Sequence, residues 1–191
     1  MSSTEPKPLR ADARRNRERI VHAARELFAE CGQETQMDDV ARRAGVGVGT
    51  VYRHFPTKAE LIGELLAGKF RHHAEIARKW SAVDDGWEAF EGFLRETFSS
   101  IARDATLQRR ASWIDDSEIL AVVEVERRVV TEVLDEIIRR AQAQGSVRAD
   151  FSVQDIPALM CAMGAVMAAE SRMPMRADRF VELVIDGLRA P

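Results

Sequence analysis

Apolar residues return at helical spacing almost everywhere along this 191-residue chain, and the period-2 alternation of strands is nearly absent. Residues 1–11 read as a disordered basic arm. A first helix is predicted over 12–31, with Ile20, Ala24, Leu27, Phe28 and Cys31 on one face and a stop at Gly32. Thr35, with Asp38 three residues on, resembles a capping box and opens a short helix through about Ala44. Met37, Val40, Ala41 and Ala44 form its apolar stripe, and Gly45 breaks it. Another short helix starts at Gly47-Val48-Gly49-Thr50 and ends at Phe55, because Pro56 disfavours helical geometry in the residue before it. Thr57 and Glu60 then cap a long connector carrying Leu61, Leu65 and Leu66.

The second half predicts fewer, longer helices. One covers about 86–103 with Trp87, Phe90, Leu94, Phe98 and Ile101, and a shorter stretch near 105–113 ends in Trp113. Ser117 opens a long helix that Gly145 closes, and residues 146–151 form a loop. Ser152 with Asp155 caps the next helix, whose Pro157 falls in the tolerated first turn. Pro174 separates it from a final helix with Phe180, Val181, Val184, Ile185 and Leu188.

Composition narrows the class. With 46% hydrophobic and 31% charged residues the chain has a globular profile, and no apolar run reaches the roughly 18 to 20 residues of a membrane span. The first residues lack the apolar core of a signal peptide, so the expected location is the cytoplasm. Cys31 and Cys161 lie far apart without metal-ligand spacing and are expected to be small buried hydrophobes. His72 and His73 beside Glu75 point about 100° apart on a helix and share one ion poorly. No nucleophile–base pair, phosphate loop or metal motif stands out, so no catalytic residue, metal or cofactor is expected. Net charge is −3, yet Lys7, Arg10, Arg14, Arg15, Arg17 and Arg19 face only Asp12 and Glu18, a local basic patch suited to phosphate.

The most informative stretch is 35–58, TQMDDVARRAGVGVGTVYRHFPTK. Two short helices joined by a tight glycine turn are the ingredients of a helix-turn-helix. Ala41 is small where the helices approach, Gly45 can take the positive φ of the turn, and Val46 can plug the gap between them. Val51 and Phe55, four apart, can anchor the second helix from inside. Val48, Gly49, Thr50, Tyr52, Arg53 and His54 then face outward or sit near its start. Thr35 and Lys58 open the flanking helices, where a hydroxyl, an ammonium and free backbone N–H groups can bind phosphate.

On these residues the chain resembles the N-terminal domain of TetR-family regulators. It supplies Asp38-Asp39-Val40-Ala41, Ala44-Gly45-Val46, Gly49-Thr50, Tyr52, His54-Phe55, Lys58 and Leu61 of the family signature, over residues 14–65. The resemblance implies an all-α protein: a three-helix helix-turn-helix DNA-binding domain (12–58), a connector helix (59–75) and a C-terminal regulatory and dimerisation domain (76–191). It also implies a homodimer on a palindromic double-stranded DNA operator, released by a small-molecule effector. Tyr52, His54, Lys58 and Thr35 would contact phosphates, and Val48, Gly49, Thr50 and Arg53 would lie at the major groove. One departure stands out: where Ser or Thr is frequent, this chain has Val48, which offers only apolar contact, for example to a thymine methyl. Base reading would lean on Thr50, Arg53, Arg43 and DNA shape.

The second domain speaks less clearly. Trp87, Phe90, Phe93, Trp113, Met160, Met163 and Met167 could line an apolar effector pocket. Residues 139–156, RRAQAQGSVRADFSVQDI, resemble a C-terminal type shared by a subset of these regulators. Met160, Met163 and Met167 on one helix, with Val181, Val184, Ile185 and Leu188 on the other, are the expected dimer interface of a four-helix kind.

Overall fold

The computed structural model describes residues 7–103, 117–169 and 176–191. The helix predicted over 105–113 and its Trp113 lie outside them, as does Pro174. The described residues form eight α-helices: α1 (Lys7–Cys31), α2 (Met37–Ala44), α3 (Val48–His54), α4 (Lys58–Ser81), α5 (Gly86–Arg103), α6 (Ser117–Ala143), α7 (Ile156–Ala169) and α8 (Ala177–Leu188). Among them there is no strand, only an isolated bridge between Val147 and Arg189. No helix among the described residues is long and apolar enough to cross a membrane.

Two boundaries differ from expectation. Helix α1 begins at Lys7, so the end of the predicted arm is already helical. Residues 58–81 form one uninterrupted helix, and the division of the chain into two compact units falls inside it, between Leu66 and Ala67. The first unit holds residues up to 66 together with 117–122; the second holds 67–103, 123–169 and 176–191.

In the first unit α1 packs on α2 and α3. Ile20, Ala24, Phe28, Val40, Val51 and Leu61 are each fully buried there. Burial of the larger of these side chains contributes about 1.5–3 kcal/mol each. The turn between α2 and α3 follows from Gly45, whose φ of +63° a side chain would strain. Its N–H bonds to the Arg42 carbonyl and that of Val46 to Ala41, so the last carbonyls of α2 are satisfied as the chain reverses. Phe55 leaves α3 in an extended conformation ahead of Pro56, as the sequence predicts, and is buried.

The second unit closes around α5, with Phe90, Phe93 and Phe98 against Leu134, Ile137 and Ile138 of α6. Ser152 and Asp155 cap the approach to α7 reciprocally, as predicted. The chain's end is tied down as well: Arg148 donates its N–H to the Leu188 carbonyl and Ala190 to that of Ser146.

Burial within this chain bears on the residues expected at a dimer interface, in an effector pocket or as buried cysteines. Met163, Val181, Ile185 and Leu188 were expected to face a second copy, but all are buried in this chain's own core, and Met160 and Val184 pack half-buried against it. Helix α8 needs its 181/185/188 stripe to close its own unit, so that stripe is not available to a partner. Phe90 and Phe93 are likewise core side chains, at 0% and 1% exposure. Trp87 lies half-buried under the Arg189 guanidinium, 3.9 Å from its ring centre. Met167 belongs to α7, and its side chain lies outside the described residues. Cys31 and Cys161 are exposed, not buried.

Candidate nucleic-acid interface

The outer face of α3 is built by subtraction. Val51 and Phe55 hold the helix from inside, which leaves Val48 (39% exposed) and Tyr52 (47%) standing out as large apolar groups on its surface. Gly49 and Arg53 are exposed and Thr50 half-exposed; the Arg53 guanidinium reaches the Thr50 hydroxyl at 3.5 Å. His54 is half-buried at the end of the helix. Burial, and then the neighbouring charges of Arg53 and Arg17, hold its pKa below the usual histidine value, so at neutral pH it serves as an uncharged hydrogen-bonding group.

Beside this face Tyr52 and Lys58 meet the first turn of α2 across an open recess of about 490 Å³, completed by Gln36, Met37, Asp38 and Asp39. No side chain caps the start of α2, and its first backbone bond runs from the Asp39 N–H to the Gln36 carbonyl at 3.1 Å, beyond the Met37 and Asp38 N–H groups. A phosphate oxygen suits such a place, with Tyr52 and Lys58 as donors and Asp38 and Asp39 as opposing charge. The Lys58 ammonium also lies 5.8 Å over the Phe28 ring, so its stem is anchored. At the start of α4, Thr57 accepts the Glu60 N–H at 3.1 Å, as the predicted cap requires.

Two residues expected at DNA are engaged elsewhere. Thr35 does not cap α2, which starts at Met37 after Gln36. It is buried and donates its hydroxyl to the Leu27 carbonyl at 3.1 Å, tying the loop to α1. Arg43 forks onto Glu30 at 3.0 and 2.8 Å and reaches Glu26 at 3.4 Å, all on α1. This pairing raises the Arg43 pKa above its ordinary value and lowers that of Glu30. These ion pairs hold the exposed Arg43 side chain against α1.

Conversely, sequence reading missed two positioning residues within the basic patch. Arg17 pairs with Glu64 at 2.6 Å and lies 5.1 Å from the Phe55 ring centre, joining α1 to the end of α3 and the start of α4. Arg19 donates to the Gly45 carbonyl at 3.2 Å, bracing the turn. Only the composition of the patch hinted at them; their partners lie 26 and 47 residues away.

Comparison with known proteins agrees with this geometry. Bacterial regulatory proteins of the tetR family match residues 20–65, and the C-terminal domain of SbtR-like transcriptional regulators matches residues 85–190. A TetR transcription regulatory protein from Mycobacterium vanbaalenii is 36% identical, over 96% of this chain and 100% of that one, with a TM-score of 0.62. The regulator TtgW of Pseudomonas putida is 38% identical over 81 residues, 38% of this chain and 60% of its own length. A helix-turn-helix regulator of Staphylococcus aureus is 46% identical over 54 residues, 28% of this chain and 29% of its own length. The chain thus spans less than two thirds of the length of these two curated relatives. The fold and site define a helix-turn-helix DNA-binding protein. The chain belongs to the TetR family of transcriptional regulators, which are not enzymes.

Proposed function

We propose that the protein is a homodimeric repressor that binds a palindromic operator through α3 and releases it when a small molecule binds the second unit. The observation that carries this reading is the exposed face of α3 beside the Tyr52–Lys58 recess, a combination that fits a major groove and its flanking phosphate. Val48, Gly49, Thr50 and Arg53 would address the groove; Tyr52, His54 and Lys58 would address the backbone. Dimerisation would use the outer face of α7, where Ala158, Cys161, Ala162 and Ala165 are exposed, with Leu183 of α8 at 47% exposure. Small residues there permit close helix approach, and a two-fold pair would set two α3 helices one DNA turn apart. For the effector, the leading polar point is Thr97 on α5. Its hydroxyl is buried in the second unit without a hydrogen-bond partner, a cost that a ligand's polar group would remove.

The test is fluorescence anisotropy on the DNA upstream of the protein's own gene and on duplexes selected from a random pool, across a salt series. Saturable, steeply salt-dependent binding that Tyr52→Ala with Lys58→Ala abolishes would establish the operator half. Equal, weak binding by both proteins to every duplex would overturn it. Release by none of a metabolite panel, with no thermal shift, would overturn the effector half.

A further inference from the structure

We propose that Val48 reads the 5-methyl group of a thymine in each half-site, and that Gly47 and Gly49 keep the space around it clear for the duplex. This rests on the operator-binding reading above and names what the site recognises.

Val48 is the first residue of α3 and has no donor or acceptor on its side chain, yet it stands exposed on a seven-residue helix whose other exposed side chains, Tyr52 and Arg53, each carry a polar group. Neither glycine beside it is required by internal packing, although Gly47 stands at the N-cap of α3, where glycine is among the favoured residues. Gly47 has φ −67° and ψ 144°, a conformation open to any residue, and a Cβ there would meet only the Thr50 hydroxyl at 3.9 Å, an ordinary contact. At Gly49 a Cβ would meet nothing within 4 Å, and its φ is not positive. Three other helical glycines answer to internal packing, whereas a Cβ at Gly187 of α8 would meet nothing within 4 Å and one at Gly68 of α4 only the Arg71 guanidinium at 3.8 Å. A Cβ at Gly63 would lie 2.7 Å from Val122, one at Gly86 2.6 Å from the Ala141 backbone, and one at Gly92 2.4 Å from the Trp80 ring. Glycine inside a helix is less stable than alanine, and at Gly49 no internal neighbour requires it; beside the exposed Val48 and Tyr52 it leaves the surface of α3 open to a body approaching from outside.

The approaching body is the major-groove edge, because Tyr52 and Lys58 supply phosphate donors beside the same helix. On that edge the hydrogen-bond donors and acceptors are separated by C–H positions, and the one methyl group is the thymine C5-methyl. A valine with bare backbone on either side complements that methyl better than it does the polar groups of the base edge.

The experiment uses the full-length protein and a duplex it selects from a random pool, with each thymine replaced in turn by deoxyuridine, which removes only the methyl. Anisotropy is measured for the wild type and Val48→Ala. One symmetric position should weaken the wild type by about fourfold per half-site, the worth of one buried methyl group. Val48→Ala should be indifferent to that replacement. Gly49→Ala should melt at a higher temperature than the wild type and bind about tenfold more weakly, the cost of one poorly fitted base step. The proposal is overturned if deoxyuridine affects wild type and Val48→Ala alike at every position, or if Gly49→Ala binds as tightly as the wild type. If Tyr52→Ala with Lys58→Ala binds as well as the wild type, the operator reading itself fails and this proposal with it.

Discussion

Helices α2 and α3 in the first unit and α7 and α8 in the second were approached with the same rule, that apolar residues at helical spacing mark the buried side. In α2 the rule holds residue by residue: Met37, Val40, Ala41 and Ala44 are apolar and buried, while Asp38, Arg42 and Arg43 are polar and exposed. In α7 and α8 it loses its grip. Residues 156–169 are apolar nearly all round, and α8 carries Phe180, Val181, Leu183, Val184, Ile185 and Leu188 in one short helix. Two apolar faces are then present, one for the chain's own core and one for another surface. Periodicity alone cannot say which is which. Amphipathicity names a buried face only when the opposite face is polar.

The sharpest way to break this comparison is to change both faces of α8. Ile185→Ala should destabilise the second unit by about 2–5 kcal/mol, the cost of truncating a fully buried isoleucine, seen as a lowered urea midpoint. Leu183→Glu should leave the fold of the chain intact and shift sedimentation from dimer to monomer. If Leu183→Glu unfolds the protein and Ile185→Ala is silent, the faces have been assigned in reverse.

A smaller effect is expected from acid. Burial, then the charges of His72 and Lys69, push the His73 pKa down to about 4. The unfolded chain, with an ordinary histidine near 6.5, therefore takes up the proton first as pH falls. Stability associated with neutral His73 is complete above about pH 6.5 and is lost on descending towards 4, on the order of 1–2 kcal/mol between pH 7 and 5. His73→Gln should flatten that part of the profile of urea midpoint against pH.

Arg17→Ala tests the polar bracing of the head, where side-chain clamps accompany apolar burial. Loss of the Glu64 pair and the Phe55 contact should cost about 1 kcal/mol, an estimate reduced because Arg17 is partly exposed. Hydrogen exchange should quicken in α3 and leave α8 unchanged. The smallest expected change has the opposite sign. Thr97→Val removes a buried hydroxyl without a partner and keeps the shape, so the urea midpoint should rise by the equivalent of up to about 1 kcal/mol. A fall instead would mean that the hydroxyl is satisfied in solution.

Much of the head was legible from its residues. The positive φ of Gly45, the inward Val51 and Phe55, the outward Val48 and Tyr52, and the stop before Pro56 each follow from local chemistry. What escaped was the use of polar groups over distance. Thr35 has the look of a cap, yet its hydroxyl turns back to Leu27; Arg43 has the look of a base reader, yet Glu30 and Glu26 lie within its reach. A cap and a tie use the same hydroxyl, and a reader and a clamp the same guanidinium, so residue type cannot separate them.

The sequence by itself determined the all-helical class, the helix-turn-helix with its glycine turn, and the outward set on α3, because each depends on contacts within a few residues. Only the tertiary structure decided that Arg43 pairs with Glu30 and Glu26 of α1, that Arg17 joins three helices, and that Met163, Ile185 and Leu188 close this chain's own core. Those outcomes depend on which distant surfaces meet, and spacing along the chain carries no information about a neighbour brought close only by folding.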